Sequence, residues 1–396
     1  MLDATGRERA KRLLTASGRS NVPPFMVMDV MAAAARIEAA GGHVIHMEVG
    51  QPAASAPKTA ISAAHAALDS GRIDYTSALG IPSLRERIAR YYRETYGCTV
   101  DAERIVVTTG SSGAFILGFL AMFEPGDRVA VTVPGYPPYR HILTALGCEP
   151  VLIETSAETR HALTGEALLA AHSRTPLKGV LVGSPANPTG TMMSRQALTS
   201  LISAAEGAGI RFISDEIYHG LDYAFPAVTA AELSPHALVI NSFSKYFCMT
   251  GWRVGWMVAP EPLVRPIERL QQNLAISVPT LSQIAAEAAF EGRLEMEAVK
   301  HGYQENSRIL IAGLPHAGLT KFLPADGAFY LYADVSAFTS DSFEFAKAML
   351  EQAHVAATPG IDFDPVHGHQ FIRFSYARSA DEMQEAVARI ARWLAR

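Results

Sequence analysis

The chain has 396 residues, enough for two or three domains at about 150 residues each. Its 34 Lys and Arg against 39 Asp and Glu give a net charge of −5, which speaks against nucleic acid as the main partner, because phosphate neutralisation needs a basic face. Apolar residues make up 49% and charged residues 18%, a globular composition that excludes disorder along the whole chain.

The N-terminus carries Arg7, Arg9, Lys11 and Arg12. No apolar core follows, and Asp3 and Glu8 interrupt the basic run, so neither a secretory signal nor a transit peptide is expected. A helix is expected near Asp29–Ala40. The middle of the chain alternates short Val- and Ile-rich runs with helix-length amphipathic ones. Ile105–Thr109, Val129–Val133, Gly179–Gly183, Ile210–Ser214, Leu238–Asn241 and Val254–Val258 read as buried strands bounded by Gly, Pro or polar residues. Ser194–Glu206, with Leu198, Leu201, Ile202 and Ala205 on one face, reads as a helix between two of them. Such alternation means βαβ units and a mainly parallel sheet. The C-terminal third differs. A long helical stretch, about Leu281–Leu314, precedes a strand (Ala328–Tyr332), a helix (Ser342–His354), a strand (Phe371–Ser375) and a last helix. That helix opens on a capping box, Ser379 and Glu382, and carries Met383, Ala386, Ile390 and Trp393 as its apolar stripe. Arg389, Arg392 and Arg396 stand toward its negative end. These elements, with the N-terminal helix, read as a smaller α+β domain.

Cys98, Cys148 and Cys248 are the only cysteines, and neither CxxC nor a Cys/His metal spacing occurs, so no bound metal and a reducing compartment are expected. The longest apolar run, Ala114–Phe123, has ten residues and includes a glycine, short of the ~18 that a membrane span needs. A soluble, cytoplasmic protein is the expectation.

In an open α/β sheet, ligands bind beyond the carboxyl ends of the strands, and four of these ends are chemically loaded. Ile105–Thr109 runs into Gly110-Ser111-Ser112-Gly113-Ala114, a glycine-flanked helix start whose free N–H groups suit a phosphate. It is neither the nucleotide-triphosphate loop nor the dinucleotide GxGxxG. Gly179–Gly183 runs into Ser184-Pro185-Ala186-Asn187-Pro188-Thr189-Gly190, a stiff turn that aims the Asn187 amide. Ile210–Ser214 ends in Asp215-Glu216-Ile217-Tyr218, and a carboxylate leaving so apolar a strand must find a cation or several donors. Leu238–Asn241 leads to Ser242-Phe243-Ser244-Lys245, with Arg253 eight residues on. A Lys at a buried strand end has a lowered pKa and is then a carbonyl nucleophile, while the hydroxyls and Arg253 suit a dianion. Taken singly, each segment is equally well a capped helix, an Asn-Pro turn, an N-cap or a solvated loop. Taken together, they describe one ligand: an aldehyde for Lys245, a phosphate for Ser111, Ser112, Ser242, Ser244 and Arg253, a ring nitrogen for Asp215, and a phenolic oxygen for Asn187 and Tyr218. That ligand is pyridoxal 5′-phosphate.

On these motifs the chain resembles the fold-type I pyridoxal-phosphate enzymes, specifically the class I/II aminotransferases of the aspartate aminotransferase superfamily. The resemblance runs from about Val27 to the C-terminus and includes Arg373-Phe-Ser. It implies a large cofactor-binding domain with a sheet of seven-stranded type flanked by helices (49–290), a small α+β domain (291–396), and an N-terminal arm that completes the small domain (1–48). It implies a Schiff base on Lys245 and a homodimer. It also makes Gly113 part of the phosphate cradle, Tyr136 the ring-stacking aromatic and Tyr75 a residue that reaches the partner subunit's phosphate. Gly50 and Arg373 would face the substrate carboxylate, with Asn187 beside them. The expected activity is transfer of an amino group between an amino acid and a 2-oxo acid. The phosphate loop lacks the added cation of dicarboxylate specialists in some relatives, so alanine, aliphatic or aromatic amino acids are preferred over aspartate. A C–S β-lyase on the same scaffold is the alternative enzyme. A cofactor-sensing regulator is disfavoured, because no helix-turn-helix pair is legible in the roughly 45 residues before the fold.

Overall fold

The computed structural model describes residues 13–71 and 73–395, so the basic N-terminal run and Arg396 lie outside the described residues. A seven-stranded sheet comprises β1 (Ile105–Thr108), β2 (Arg128–Val133), β3 (Glu149–Glu154), β4 (Gly179–Gly183), β5 (Arg211–Asp215), β6 (Leu238–Ser242) and β7 (Gly255–Val258). Its order is β1-β7-β6-β5-β4-β2-β3. β7 runs antiparallel to both neighbours and every other pairing is parallel. Apart from the edge strand β3, the strands are largely apolar on both faces because both faces are covered. Ile105, Val107, Val180, Phe212, Val239 and Trp256 enter one core, while Val106, Val131, Leu181, Ile213, Ile240 and Met257 enter the other. That alternation is the period-two geometry of a strand.

A second sheet of four strands, β8 (Lys321–Phe322), β9 (Tyr330–Asp334), β10 (Thr358–Pro359) and β11 (Phe371–Ser375), is antiparallel in the order β10-β11-β9-β8. Helices Ser342–Ala353 and Ala380–Leu394 accompany it. Ser379 caps the latter with the expected reciprocal bond from Glu382, and Met383, Ala386 and Ile390 are buried as expected. The N-terminal helix is Met26–Ala39, and the segment that follows it pairs Ile45–His46 in parallel with Val355–Ala356.

Two expectations need correction, and one strand was not expected. The stretch 281–314 is two α-helices, Thr280–Ala289 and Arg293–Gly313, joined by a 3-10 turn at Phe290–Gly292. Gly292 sits there against Pro57, too close for a Cβ. The strand expected at Ala328–Tyr332 is β9, beginning at Tyr330, because Ala328 adopts φ +58°, a left-handed conformation that no strand residue takes. β3 escapes the sequence reading, since an edge strand spelled Glu-Pro-Val-Leu-Ile-Glu is neither alternating nor wholly apolar. Among the described residues no helix is long and apolar enough to cross a membrane.

The topology places the site. β1, β2, β4, β5 and β6 all point the same way, so Thr108, Val133, Gly183, Asp215 and Ser242 end on one edge of the sheet.

Candidate active site

Along that edge a cavity of about 220 Å³ opens between the sheet and the second, smaller sheet. Of the residues singled out in the sequence, Gly50, Ser111, Ser112, Tyr136, Asn187, Asp215, Tyr218, Ser244, Lys245, Arg253 and Arg373 line it. Gly113, Ser242 and Tyr75 do not. Gly113 lies one turn into the helix, its N–H spent on Thr109 O. Ser242 Oγ bonds Ser244 Oγ at 2.8 Å and lies 3.2 Å from the Val254 carbonyl oxygen, so it holds the lysine loop. Tyr75 is 80% exposed, away from its own chain's cavity.

Lys245 follows β6 and its Nζ donates to Gly50 O at 2.5 Å. Burial lowers its pKa to about 8, helped by the charges of Arg373 and Arg253. The lowered pKa raises the share of neutral amine near neutral pH, the form that attacks carbonyl carbon. Gly50 cannot be anything larger, because a Cβ there would fall 1.8 Å from Tyr330 Oη.

Asp215 closes β5, 3% exposed. Its Oδ2 accepts a hydrogen bond from Tyr139 Oη and its Oδ1 accepts the Ile217 N–H at 3.1 Å. Burial pushes its pKa up to about 6 against these donors. A carboxylate so placed, with neutral donors only, gains most from a cationic ring nitrogen.

The helix Gly110–Met122 starts directly after β1 and turns its free N–H groups toward the cavity with Ser111 and Ser112. Gly110 takes φ +65°, and a Cβ on it would lie 2.6 Å from Arg253 Nη2. The guanidinium thus rests against bare backbone. Arg253 itself has φ +51°, an unusual conformation for a non-glycine, and its guanidinium Nη1 donates to Thr250 O at 2.9 Å.

Arg373, on β11, is 1% exposed, not the surface ion-pair residue that a lone Arg suggests. It touches no carboxylate. Nη1 donates to Asn187 Oδ1 at 2.9 Å, Nη2 donates to Glu48 O and to Thr358 Oγ1, and Nε has no partner. The guanidinium lies over the rings of Tyr330 and Phe363, 4.4 and 4.7 Å from their centroids. Because Arg only donates, its bond to Asn187 Oδ1 leaves the amide NH₂ as the donor toward a ligand oxygen. Tyr218 Oη pairs with Tyr330 Oη at 2.7 Å, so the phenol expected to serve the ring oxygen shares its hydrogen bond with a second tyrosine.

Sequence reasoning missed Tyr139, Tyr330, Thr358 and the wall formed by Phe25, Val27 and Met28. Tyr139 had a signal, since it stands three residues after Tyr136 at the start of the helix Pro137–Ala145. Its ring meets that of Tyr136 edge-on at 5.2 Å.

The sequence profile described as aminotransferase class I and II matches residues 42–390. The chain is 47% identical over 380 residues to a valine–pyruvate aminotransferase of Mycobacterium tuberculosis, covering 95% of this chain and 97% of that one. It is 33% identical over 391 residues to a (5-formylfuran-3-yl)methyl phosphate transaminase of Methanocaldococcus jannaschii, covering 97% and 99%. Among solved structures, an aminotransferase from Mycobacterium tuberculosis superposes with a TM-score of 0.94 at 46% identity over 96% of this chain and 99% of that one. Aspartate aminotransferase from Thermus thermophilus with maleate gives 0.90 at 31% identity, covering 96% and 99%.

The chain belongs to the class I and II aminotransferases. It is accordingly a pyridoxal-phosphate-dependent enzyme that moves an amino group between an amino acid and a 2-oxo acid. The residues present fit that cofactor. A lysine amine of lowered pKa, a buried carboxylate in want of a cation, and an Arg seated against a helix start that only glycine permits are three separate requirements, met in one cavity.

Proposed function

We propose that this aminotransferase acts on amino acids with alanine-like, aliphatic or aromatic side chains, with Arg373 taking the substrate α-carboxylate. The observation that carries this reading is the charge inventory of the cavity. Its only lining cations are Lys245, Arg253 and Arg373. Lys245 is reserved for the aldehyde, Arg253 for the phosphate and Arg373 for the α-carboxylate, so among the described residues the lining offers no cation to a distal carboxylate. Phe25, Val27, Met28, Val49 and Ile217 give the rest of the wall an apolar part, beside the uncharged Gln51, Thr250 and Tyr330. The valine and pyruvate in the name of the Mycobacterium tuberculosis relative support the same choice.

When bound, pyridoxal phosphate supplies an aldehyde that captures the amine and a ring that accepts the electrons left by the departing Cα proton. Lys245 then moves that proton as general base and acid, for which a pKa of about 8 suits neutral pH. Asp215 keeps the ring nitrogen protonated, with Tyr139 orienting its carboxylate. Asn187 and Tyr218 donate to the ring oxygen. Tyr136 stacks on the ring face. Ser111, Ser112, Ser244 and Arg253 hold the phosphate, with Ser242 buttressing Ser244. We further propose a cytoplasmic homodimer in which Tyr75 serves the partner subunit's phosphate, and a division into arm, large domain and small domain near 48 and 290.

An amino-donor screen with pyruvate and with 2-oxoglutarate as acceptor tests the substrate. Valine, alanine or an aromatic amino acid should lead the donors. Aspartate or glutamate as the best donor by tenfold or more would refute the side-chain assignment. Release of pyruvate and ammonia from a cysteine S-conjugate without any acceptor would favour the lyase.

A further inference from the structure

The segment Ile45–Gly50 carries a buried carboxylate that the chemistry above does not use. Glu48 is fully buried. Its Oε1 accepts from His46 Nδ1 at 2.8 Å, and its Oε2 has no partner. His46 is held from its other side as well, with Nε2 bonded to Glu38 Oε1 at 3.1 Å, on the helix Met26–Ala39. Two carboxylates on two ring nitrogens favour the doubly protonated imidazole, and its pKa is raised, chiefly through the bond to Glu48. An interior carboxylate with one donor costs stability that an apolar residue would not.

What this arrangement fixes is the backbone at position 48. The Glu48 carbonyl accepts from Arg373 Nη2 and from Thr358 Oγ1, the latter at 2.8 Å. Thr358 Oγ1 also accepts from Arg373 Nη2, at 3.1 Å. The neighbouring residue is tied on both edges, Met47 N to Ala356 O at 2.9 Å and Ser375 N to Met47 O at 2.7 Å. Two residues further on, Gly50 O meets Lys245 Nζ. A neutral carbonyl orients the guanidinium without neutralising it, whereas an acid in that place would compete with the substrate.

We propose that Glu48, clamped by His46, is a positioning residue for Arg373, setting the carbonyl that aims the guanidinium at the substrate carboxylate. The proposal rests on the reading of Arg373 given above. It predicts a defect in carboxylate binding and none in the chemical step.

The test uses cofactor-loaded enzyme and four variants. His46→Leu and Glu48→Leu remove the clamp, His46→Asn keeps a donor near the Nδ1 position, and Arg373→Ala removes the target. KM and kcat are measured for the best amino donor and for its 2-oxo acid acceptor. Binding of 2-methylalanine, which has no Cα hydrogen, is followed through the cofactor's absorbance, and cofactor affinity is measured beside it. His46→Leu and Glu48→Leu should raise both KM values and the 2-methylalanine Kd about tenfold, equivalent to about 1.4 kcal/mol. They should leave kcat within about twofold and cofactor affinity unchanged, and His46→Asn should restore most of the loss. Unchanged KM in His46→Leu, with KM raised in Arg373→Ala, would overturn the proposal. So would a joint fall in kcat, cofactor affinity and melting temperature, which marks general loosening. Unchanged KM in Arg373→Ala would remove the reading beneath it. If Glu48→Leu does not fold, the two His46 variants decide alone, since His46 is a partly exposed residue.

Discussion

Asp215 carries a desolvation cost that falls on the cofactor-free protein. Its pKa rises from 3.8 to about 6, so its contribution to folding is complete below pH 3.8 and is lost as pH rises through 6. A shift of roughly two units corresponds to about 3 kcal/mol. Cofactor-free Asp215→Asn should therefore be more stable than the parent by up to about that amount at neutral pH, with the gap closing toward pH 4. Denaturant unfolding across that range measures it, and a gap independent of pH would contradict the assignment. With cofactor, the same variant should bind it yet lose most transamination. Lys245 has a more direct test. Borohydride should fix the cofactor to the peptide containing Lys245, and label on Lys178 or Lys321 would refute its role.

At the scale of elements, the helix start after β1 depends on one glycine. Gly110→Ala adds a Cβ at φ +65°, 2.6 Å from the Arg253 guanidinium. Cofactor affinity should fall at least about tenfold, about 1.4 kcal/mol, with little change in the KM of amino acids once cofactor is saturating. Equal affinity, read by titration of the cofactor-free protein, would show that the cradle tolerates a side chain. Ser379→Ala should cost about 1 kcal/mol by loss of the capping box, visible in thermal unfolding and absent from the kinetics. The capping box, the last helix's stripe and the strands β1, β2 and β4 to β7 were legible in the sequence because each signal is local. β3 was not, since its edge position lets it mix Glu and Pro with Val, Leu and Ile. Lys245, Asp215 and Asn187 were legible because each stands at or just past the end of a buried strand, and Arg253 because it precedes β7 in the same segment as Lys245. The pairings made by Tyr139, Tyr330 and Glu48 were not. Tyr139 meets Asp215 from 76 residues away, Tyr330 meets Tyr218 from 112, and Glu48 meets Arg373 from 325, and no local pattern encodes such pairs.

The whole molecule leaves Tyr75 exposed beside Ile73, with Leu274 and Ile276 also exposed in a segment tied to the same loop, Thr76 N reaching Ser277 Oγ at 3.4 Å. Exposed apolar side chains so placed suit a second copy of the chain. If Tyr75 serves the partner's site, Lys245→Ala and Tyr75→Ala chains refolded together should form mixed dimers with one intact site. Activity should then exceed that of both parents. Mixed dimers that are demonstrably formed yet no more active than the Tyr75→Ala parent would rule the shared site out.

The reversed strand β7 also governs the order in which the chain can complete itself during synthesis. β1 has β7 as its sole neighbour in the sheet, and about 150 residues separate Ile105 from Gly255. While the intervening chain is being made, β2 to β6 can pair among themselves, but β1 has no strand to join. Its Ile-Val-Val-Thr stays an open apolar edge, the kind that recruits other chains. Nascent chains stalled just before Gly255 should therefore bind a chaperone or aggregate, and those stalled well after Val258, with β7 clear of the ribosome tunnel, should become protease-resistant.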